Sequence, residues 1–165
     1  MRTINTQEIT DAVADMCMKA NYDLPEDITQ GLKDGLGTEE SPAGQAVLQQ
    51  ILKNEEIART ERSPLCQDTG TTCVYLDIGQ EVALEGKPLR EAVDEGVRRG
   101  YQDGYLRKSI VGDPLERVNT KDNTPAMLHV DIVPGDKIHV DVMTKGGGCE
   151  NMSALAMLKP SDGRQ

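Results

Sequence analysis

The chain has 165 residues, no Phe or Trp and four Tyr, with 28 Asp plus Glu against 18 Lys plus Arg for a net charge of −10. That length suits one domain, its core must be aliphatic, and its charge argues against a nucleic-acid or anionic-membrane surface. No apolar run approaches membrane-spanning length, and the opening Met1-Arg2-Thr3-Ile4-Asn5 lacks a signal-peptide core, so the cytoplasm is the expected compartment.

The first element predicted is a helix beginning near Thr6, because Ile9, Ala12, Val13, Met16, Cys17 and Ala20 recur at the spacing of one helical face. Cys17 lies inside that stripe and reads as a small buried side chain. A second short helix is expected after Asp23-Leu24, with Pro25 in its first turn and glycines 31, 35 and 37 ending it. Ser41-Pro42 reads as a cap and first helical residue for a third helix, running through Val47, Leu48, Ile51 and Leu52 toward Ala58.

The stretch that follows, Pro64-Leu65-Cys66-Gln67-Asp68-Thr69-Gly70-Thr71-Thr72, places a thiol, an amide, a carboxylate and a turn glycine between a helix and a strand. Chemistry is commonly presented on such a loop between rigid elements, and this one reads as the active-site loop. Thr72, Val74, Leu76 and Ile78 then alternate with Cys73, Tyr75 and Asp77 as in a strand, with Cys73 a packing residue.

Beyond Gly86-Lys87-Pro88, a fourth helix carries Gly96, Gly100 and Gly104 four residues apart on one face. Each glycine lowers helix propensity by about 1 kcal/mol relative to Ala but permits close backbone approach, so something must pack tightly there. Arg107 and Lys108 follow, either as a solvated helix end or as a clamp for a carboxylate, which the planar Arg fork can grip with two parallel bonds.

Two further strands come together around Pro134-Gly135, with Leu128, Val130, Ile132, Ile138, Val140 and Val142 on the apolar face. They read as an antiparallel hairpin. His129 should face His139 or Asp141 on the polar side, and both histidines are assigned structural roles. Lys145-Gly146-Gly147-Gly148 then leads from strand to a helical-looking Met152–Lys159, either as an anion cradle of backbone N–H groups or as a flexible hinge.

The four cysteines, Cys17, Cys66, Cys73 and Cys149, contain no Cys-x-x-Cys pair, so neither a zinc knuckle nor a thioredoxin-like redox pair is indicated. The expected fold class is mixed α/β (α+β), with N-terminal helices packed on a sheet containing an antiparallel hairpin.

Cys66-Gln67-Asp68-Thr69-Gly70, Leu106-Arg107-Lys108-Ser109, the hairpin and Lys145-Gly146-Gly147-Gly148 resemble, in that order, the N-terminal domain of the class I iron–sulfur fumarate hydratases and the related L(+)-tartrate dehydratases. The likeness covers essentially the whole chain and is closest to the N-terminal part of the alpha subunit of the two-subunit form. Residues 1–165 are thus expected to be the N-terminal part of an alpha-type catalytic domain, truncated at its C-terminus.

The resemblance implies a 4Fe–4S cluster held by three cysteines, with Cys66 as the first ligand and the other two absent from this chain. It implies Gln67 and Asp68 facing substrate, Asp68 as catalytic base, and Arg107 with the backbone of Gly146, Gly147 and Gly148 holding a dicarboxylate. Lys145 would add charge. Cys149 stands where the family usually has Ser and is not promoted to a ligand. The implied reaction is reversible hydration of fumarate to L-malate. Tartrate dehydration, or a non-catalytic remnant that binds a dicarboxylate or a subunit, are the alternatives. A small dicarboxylate, a beta-type subunit and homo-oligomerisation are the implied partners, with no nucleic acid and no membrane.

Overall fold

The computed structural model describes residues 1–148 and 153–163. Cys149, Glu150, Asn151 and Met152, and with them the expectations placed on Cys149 and the start of the last helix, lie outside the described residues.

Strand β1 (Arg2–Asn5) leads directly into helix α1 (Thr6–Tyr22). Asn5 caps the helix: its Oδ1 accepts from the Gln7 N–H at 2.8 Å while the Glu8 carboxylate accepts from the Asn5 N–H at 3.3 Å. Two orphan amides of the first turn are thereby satisfied reciprocally. The apolar stripe predicted for α1 is the buried face, with Ile9, Val13 and Cys17 at most 3% exposed.

Helix α2 (Glu26–Thr38) runs through Gly31, Gly35 and Gly37 rather than ending at them. None of its residues is buried, so the glycines are carried on an exposed helix where nothing forces a break. Ser41 caps α3 (Pro42–Glu61) as expected, and Arg62 ends that helix in the left-handed region at φ 53°.

The main sheet has three strands in the order β4-β2-β5: β2 (Thr71–Gly79) lies between β4 (Met127–Val133) and β5 (Ile138–Lys145). It runs parallel to β4 and antiparallel to β5. The sheet thus contains the expected antiparallel pairing, but not as the hairpin that was predicted: β4 and β5 are separated by β2. The alternation of apolar residues fixes which face is buried and says nothing about the neighbour across the ladder. Val74, Leu76 and Ile78 of β2 are at most 6% exposed, and the most deeply buried strand takes the centre.

The connection Pro134–Lys137 straddles the end of β2, with Gly79 N–H donating to the Lys137 carbonyl, Gln80 N–H to Val133 and Glu81 N–H to Gly135. A Cβ at Gly79 would lie 2.3 Å from the Gly135 oxygen. Only a glycine lets the loop cross there. His129 consequently sits opposite Tyr75, with ring centroids 4.8 Å apart, and His139 pairs with Asp141 at 3.2 Å, both on the exposed sheet face.

A short strand β3 (Val82–Glu85) pairs parallel with β1, and both escaped prediction. Helix α4 (Leu89–Asp103) provides the crossover that parallel strands β2 and β4 require. The glycine face of α4 meets α1: a Cβ at Gly96 would lie 2.7 Å from the Thr10 carbonyl, and one at Gly100 would lie 2.7 Å from that of Ala14. Close approach inferred from the four-residue glycine spacing is what the two helices do.

The predicted terminal helix is absent from its described part. Residues 153–159 have no regular structure, and Leu155 and Met157 are at least 90% exposed. Helices of this length draw their stability from packing an apolar face, and this segment has none to pack against among the described residues.

Candidate active site

The loop between α3 and β2 is anchored at its base by α1 and α3. Leu65 N–H donates to the Asn21 carbonyl at 2.9 Å, and the Asn54 side chain donates to the Leu65 carbonyl at 2.8 Å. Cys66 and Gln67 then stand exposed and Asp68 half-buried. Asp68 N–H turns back to the Cys66 sulfur at 3.4 Å, closing a small ring around the thiol.

The chain next dives inward. Thr69 is 2% exposed, and Gly70 adopts φ 65°. A Cβ on Gly70 would lie 2.1 Å from the Lys145 carbonyl oxygen, so glycine is required twice, for the backbone angle and for the approach of the second loop.

That second loop is Lys145–Gly148. Gly147 N–H donates to Asp68 Oδ2 at 2.8 Å, and a Cβ on Gly146 would come within 3.1 Å of the same oxygen. The structure therefore brings together the two loops that the sequence singled out, and does so through Asp68. It also adds a feature the sequence did not disclose: the glycine N–H that was assigned to substrate is here occupied by the protein's own carboxylate. Gly148 is exposed and Lys145 partly so, its Nζ 3.4 Å from the Gly146 carbonyl.

The third segment arrives from the end of α4. Leu106 is buried, and Arg107 is exposed with its carbonyl accepting from the Thr69 hydroxyl at 2.8 Å. Arg107 is thereby tied by backbone to the loop that carries Asp68. Its side chain remains at the surface.

Two residues that sequence reasoning missed hold this arrangement. The Tyr101 hydroxyl, on α4 and wholly buried, donates toward the Thr69 carbonyl at 2.5 Å and lies 3.2 Å from that of Gly70. Burial pushes its pKa to about 12, so it remains a donor across the physiological range. Asn123, 0% exposed and at φ 63°, donates through Nδ2 to the Gly70 carbonyl at 3.0 Å. Its Oδ1 accepts from Ser109 N–H at 2.8 Å and Ile110 N–H at 3.3 Å. One side-chain amide thus registers the Asp68 loop against the Arg107 segment. The only sequence cue was an Asn before Thr-Pro in a loop, which also describes many ordinary turns.

Asn123 is itself braced by α4. Arg98 pairs with Asp122 at 3.0 Å, Asp94 accepts from Ala126 N–H at 2.9 Å, and Arg90 donates to the Ala126 carbonyl at 2.8 Å.

The described cysteines divide sharply. Cys17 is wholly buried, and burial raises its thiol to about 12, so it is a packing residue. Cys73 is 4% exposed against the Met127 sulfur at 3.7 Å. Cys66 alone among the described cysteines is exposed. No group of three or more His, Cys, Asp or Glu side chains among the described residues could hold a metal ion. An iron–sulfur cluster of the implied kind draws several thiolates from its protein, and the described residues offer one. By themselves they do not fit the cluster.

The profile of the family described as Fumarate hydratase (Fumerase) matches residues 10–165. The chain belongs to that family. It is 37% identical over 162 residues to a Methanocaldococcus jannaschii protein whose provisional name is L(+)-tartrate dehydratase subunit alpha, covering 94% of this chain and 56% of that one. It is 29% identical over 160 residues to an Escherichia coli L(+)-tartrate dehydratase subunit alpha, and 28% identical to that of Shigella sonnei, each covering 94% of this chain and 52% of the relative. The chain spans about half the length of these relatives. Among the described residues no helix is long and apolar enough to cross a membrane.

Proposed function

We propose that this chain supplies one wall of a hydro-lyase site for a four-carbon dicarboxylate, the leading reaction being reversible hydration of fumarate to L-malate. The observation that carries the reading is the 2.8 Å bond between Gly147 N–H and Asp68. It makes one locus of two loops that the sequence marked independently. In a chain of net charge −10, Arg107 and Lys145 beside that locus supply the cations an anionic substrate needs.

Asp68 is the acid-base group. Its carboxylate lies on a glycine loop able to bind anions, so an incoming substrate carboxylate would take the Gly147 N–H and release Asp68 to receive or give a proton. Gln67 is exposed beside it and can hydrogen-bond a substrate oxygen. Arg107 would grip the distal carboxylate.

Cys66 is the thiolate this chain would contribute to a cluster whose remaining ligands come from beyond the described residues. One thiolate by itself cannot hold such a cluster. The names of the relatives favour tartrate dehydration as the second reading, and their designation as alpha subunits supports a beta-type partner. The free cysteines suit a reducing, cytoplasmic setting.

The test is anaerobic reconstitution, with iron, sulfide and a beta-type subunit, of the chain joined to the remaining half of an alpha-subunit relative so that further thiolates are present, followed by an iron count and assays with fumarate and L(+)-tartrate. Retained iron with turnover of either substrate is expected. Failure to retain iron even with the partner would overturn an enzymatic role for this polypeptide.

A further inference from the structure

Val74, Leu76 and Ile78 of β2 join the buried core, and the alternate residues Cys73, Tyr75 and Asp77 lie on the opposite face of the sheet. On that face each residue of β2 has a partner at its own level on either side. Tyr75 stands between His129 and Asp141, and Asp77 between Asp131 and His139. These two rows are an ordinary solvent-facing surface. The row of Cys73 differs: its partners are Met127 on β4 and Met143 on β5, so three sulfur side chains stand abreast across three strands. The thiol is covered, 4% exposed, between methionines that are 53% and 45% exposed.

We propose that Cys73, Met127 and Met143 form a three-sulfur site for a soft monovalent metal ion, Cu(I). Thiolate and thioether are the ligands that select such an ion, whereas magnesium and calcium require oxygen. Two sulfurs that share one metal through bonds of about 2.3 Å stand about 3.8–4.0 Å apart at tetrahedral to trigonal angles. The Cys73 thiol donates to the Met127 sulfur at 3.7 Å, so a thioether lone pair already faces the thiol at nearly that separation.

Met143 supplies the third donor from the other side. Directly paired residues hold their Cβ atoms about 4.5–5.5 Å apart, a gap that the unbranched, three-torsion Met side chain can span. A short ligand suits the centre of such a row and long flexible ones suit its flanks, which is the order in which these residues stand. Cu(I) replaces the Cys73 proton, which leaves to solvent. The resulting cuprous thiolate is neutral, so the covered position takes on no net charge. None of the three residues belongs to the loops joined by Asp68, and the inference stands or falls separately from the hydro-lyase reading.

An anaerobic Cu(I) titration of the chain against a chromophoric Cu(I) chelator, with copper X-ray absorption of the one-to-one complex and circular dichroism to confirm folding, tests it. A Cys66→Ser/Cys149→Ser background removes thiols outside the row, and Cys17 is wholly buried. That protein should retain one copper in a shell of three sulfurs. Met127→Leu and Met143→Leu preserve side-chain volume. Each should reduce the shell to two sulfurs and weaken retention by at least about tenfold, since even groups behind a metal ligand are worth about 10–100-fold in affinity. Cys73→Ala should abolish retention, and if that variant does not fold the two methionine variants decide. No retained copper in the background protein, a shell and affinity indifferent to both methionine variants, or retention that survives Cys73→Ala would overturn the proposal.

Discussion

The backbone N–H of Gly147 donates to the carboxylate of Asp68 at 2.8 Å, joining residues that lie 79 apart in the chain. The bond asks different things of the two side-chain oxygens' chemistry and of the loop's position, and the two can be separated. Asp68→Asn keeps an acceptor for Gly147 and so keeps the loops joined, yet it cannot exchange a proton. In a preparation reconstituted to activity, turnover should fall by about 100-fold or more, in the range of general acid-base contributions, while iron content is unchanged. Undiminished turnover would remove Asp68 from the acid-base role.

Asn123 makes the strongest prediction about stability. Asn123→Ala strands the Ser109 and Ile110 amides, leaves the Gly70 carbonyl only the Tyr101 hydroxyl at 3.2 Å, and places a Cβ residue without a compensating side chain at φ 63°. Each buried group left unpaired costs about 1–3 kcal/mol, so a loss of roughly 3 kcal/mol in urea unfolding is expected. Asn123→Gly relieves the backbone angle but not the lost bonds, and should recover only part of that loss. Equal stability of Asn123→Gly and wild type would show that the amide contributes nothing.

Tight packing on the glycine face of α4 was legible, because Gly96, Gly100 and Gly104 repeat at the helical period, but nothing in the spacing named α1 as the partner. Helix α1 itself and the Ser41 cap were legible too. Neighbour relations were not legible. Leu128, Val130, Ile138 and Val140 show the same alternation whether or not another strand lies between them, and β1 and β3 are too short for alternation to register. The two loops that meet through Asp68 stood out by composition, since thiol, carboxylate and glycine clusters are conspicuous. The scaffold behind them was not, because Tyr101 reads as one more apolar position on α4 and Asn123 as a turn residue.

A contrast among glycines follows. Gly100→Ala would put a Cβ 2.7 Å from the Ala14 carbonyl and 2.9 Å from the Cys17 Cβ, both on α1, and should cost about 1–3 kcal/mol as the helices part. Gly35→Ala, where nothing lies within 4 Å, should instead stabilise by about 0.5–1 kcal/mol through helix propensity. Thermal melts of the two variants should move in opposite directions. Movement in the same direction would contradict the helix packing.

Acid should loosen the Asn123 brace. Burial works against the Asp122 carboxylate, but the Thr124 hydroxyl and amide and the Arg98 guanidinium together hold its pKa below the ordinary 3.8. A lowered carboxylate pKa means that its stabilisation is complete above 3.8 and is lost as pH falls through the folded value. Asp122→Asn should therefore be less stable than wild type at neutral pH, with the difference shrinking below that range. A difference that stays constant into acid would show that the charge is not involved.

We propose that the Cys66–Gly70 loop, the Arg107 segment and the Lys145–Gly148 loop form one dicarboxylate site. A titration of the folded chain with fumarate, followed by backbone amide chemical shifts, tests it most directly. The largest changes should fall on Asp68, Gly147 and the amides from Arg107 to Ile110, with Gly147 moving as the substrate carboxylate replaces Asp68 on its N–H, and Arg107→Ala should weaken the effect. Changes confined to other surfaces, or an unmoved Gly147 at saturation, would contradict it.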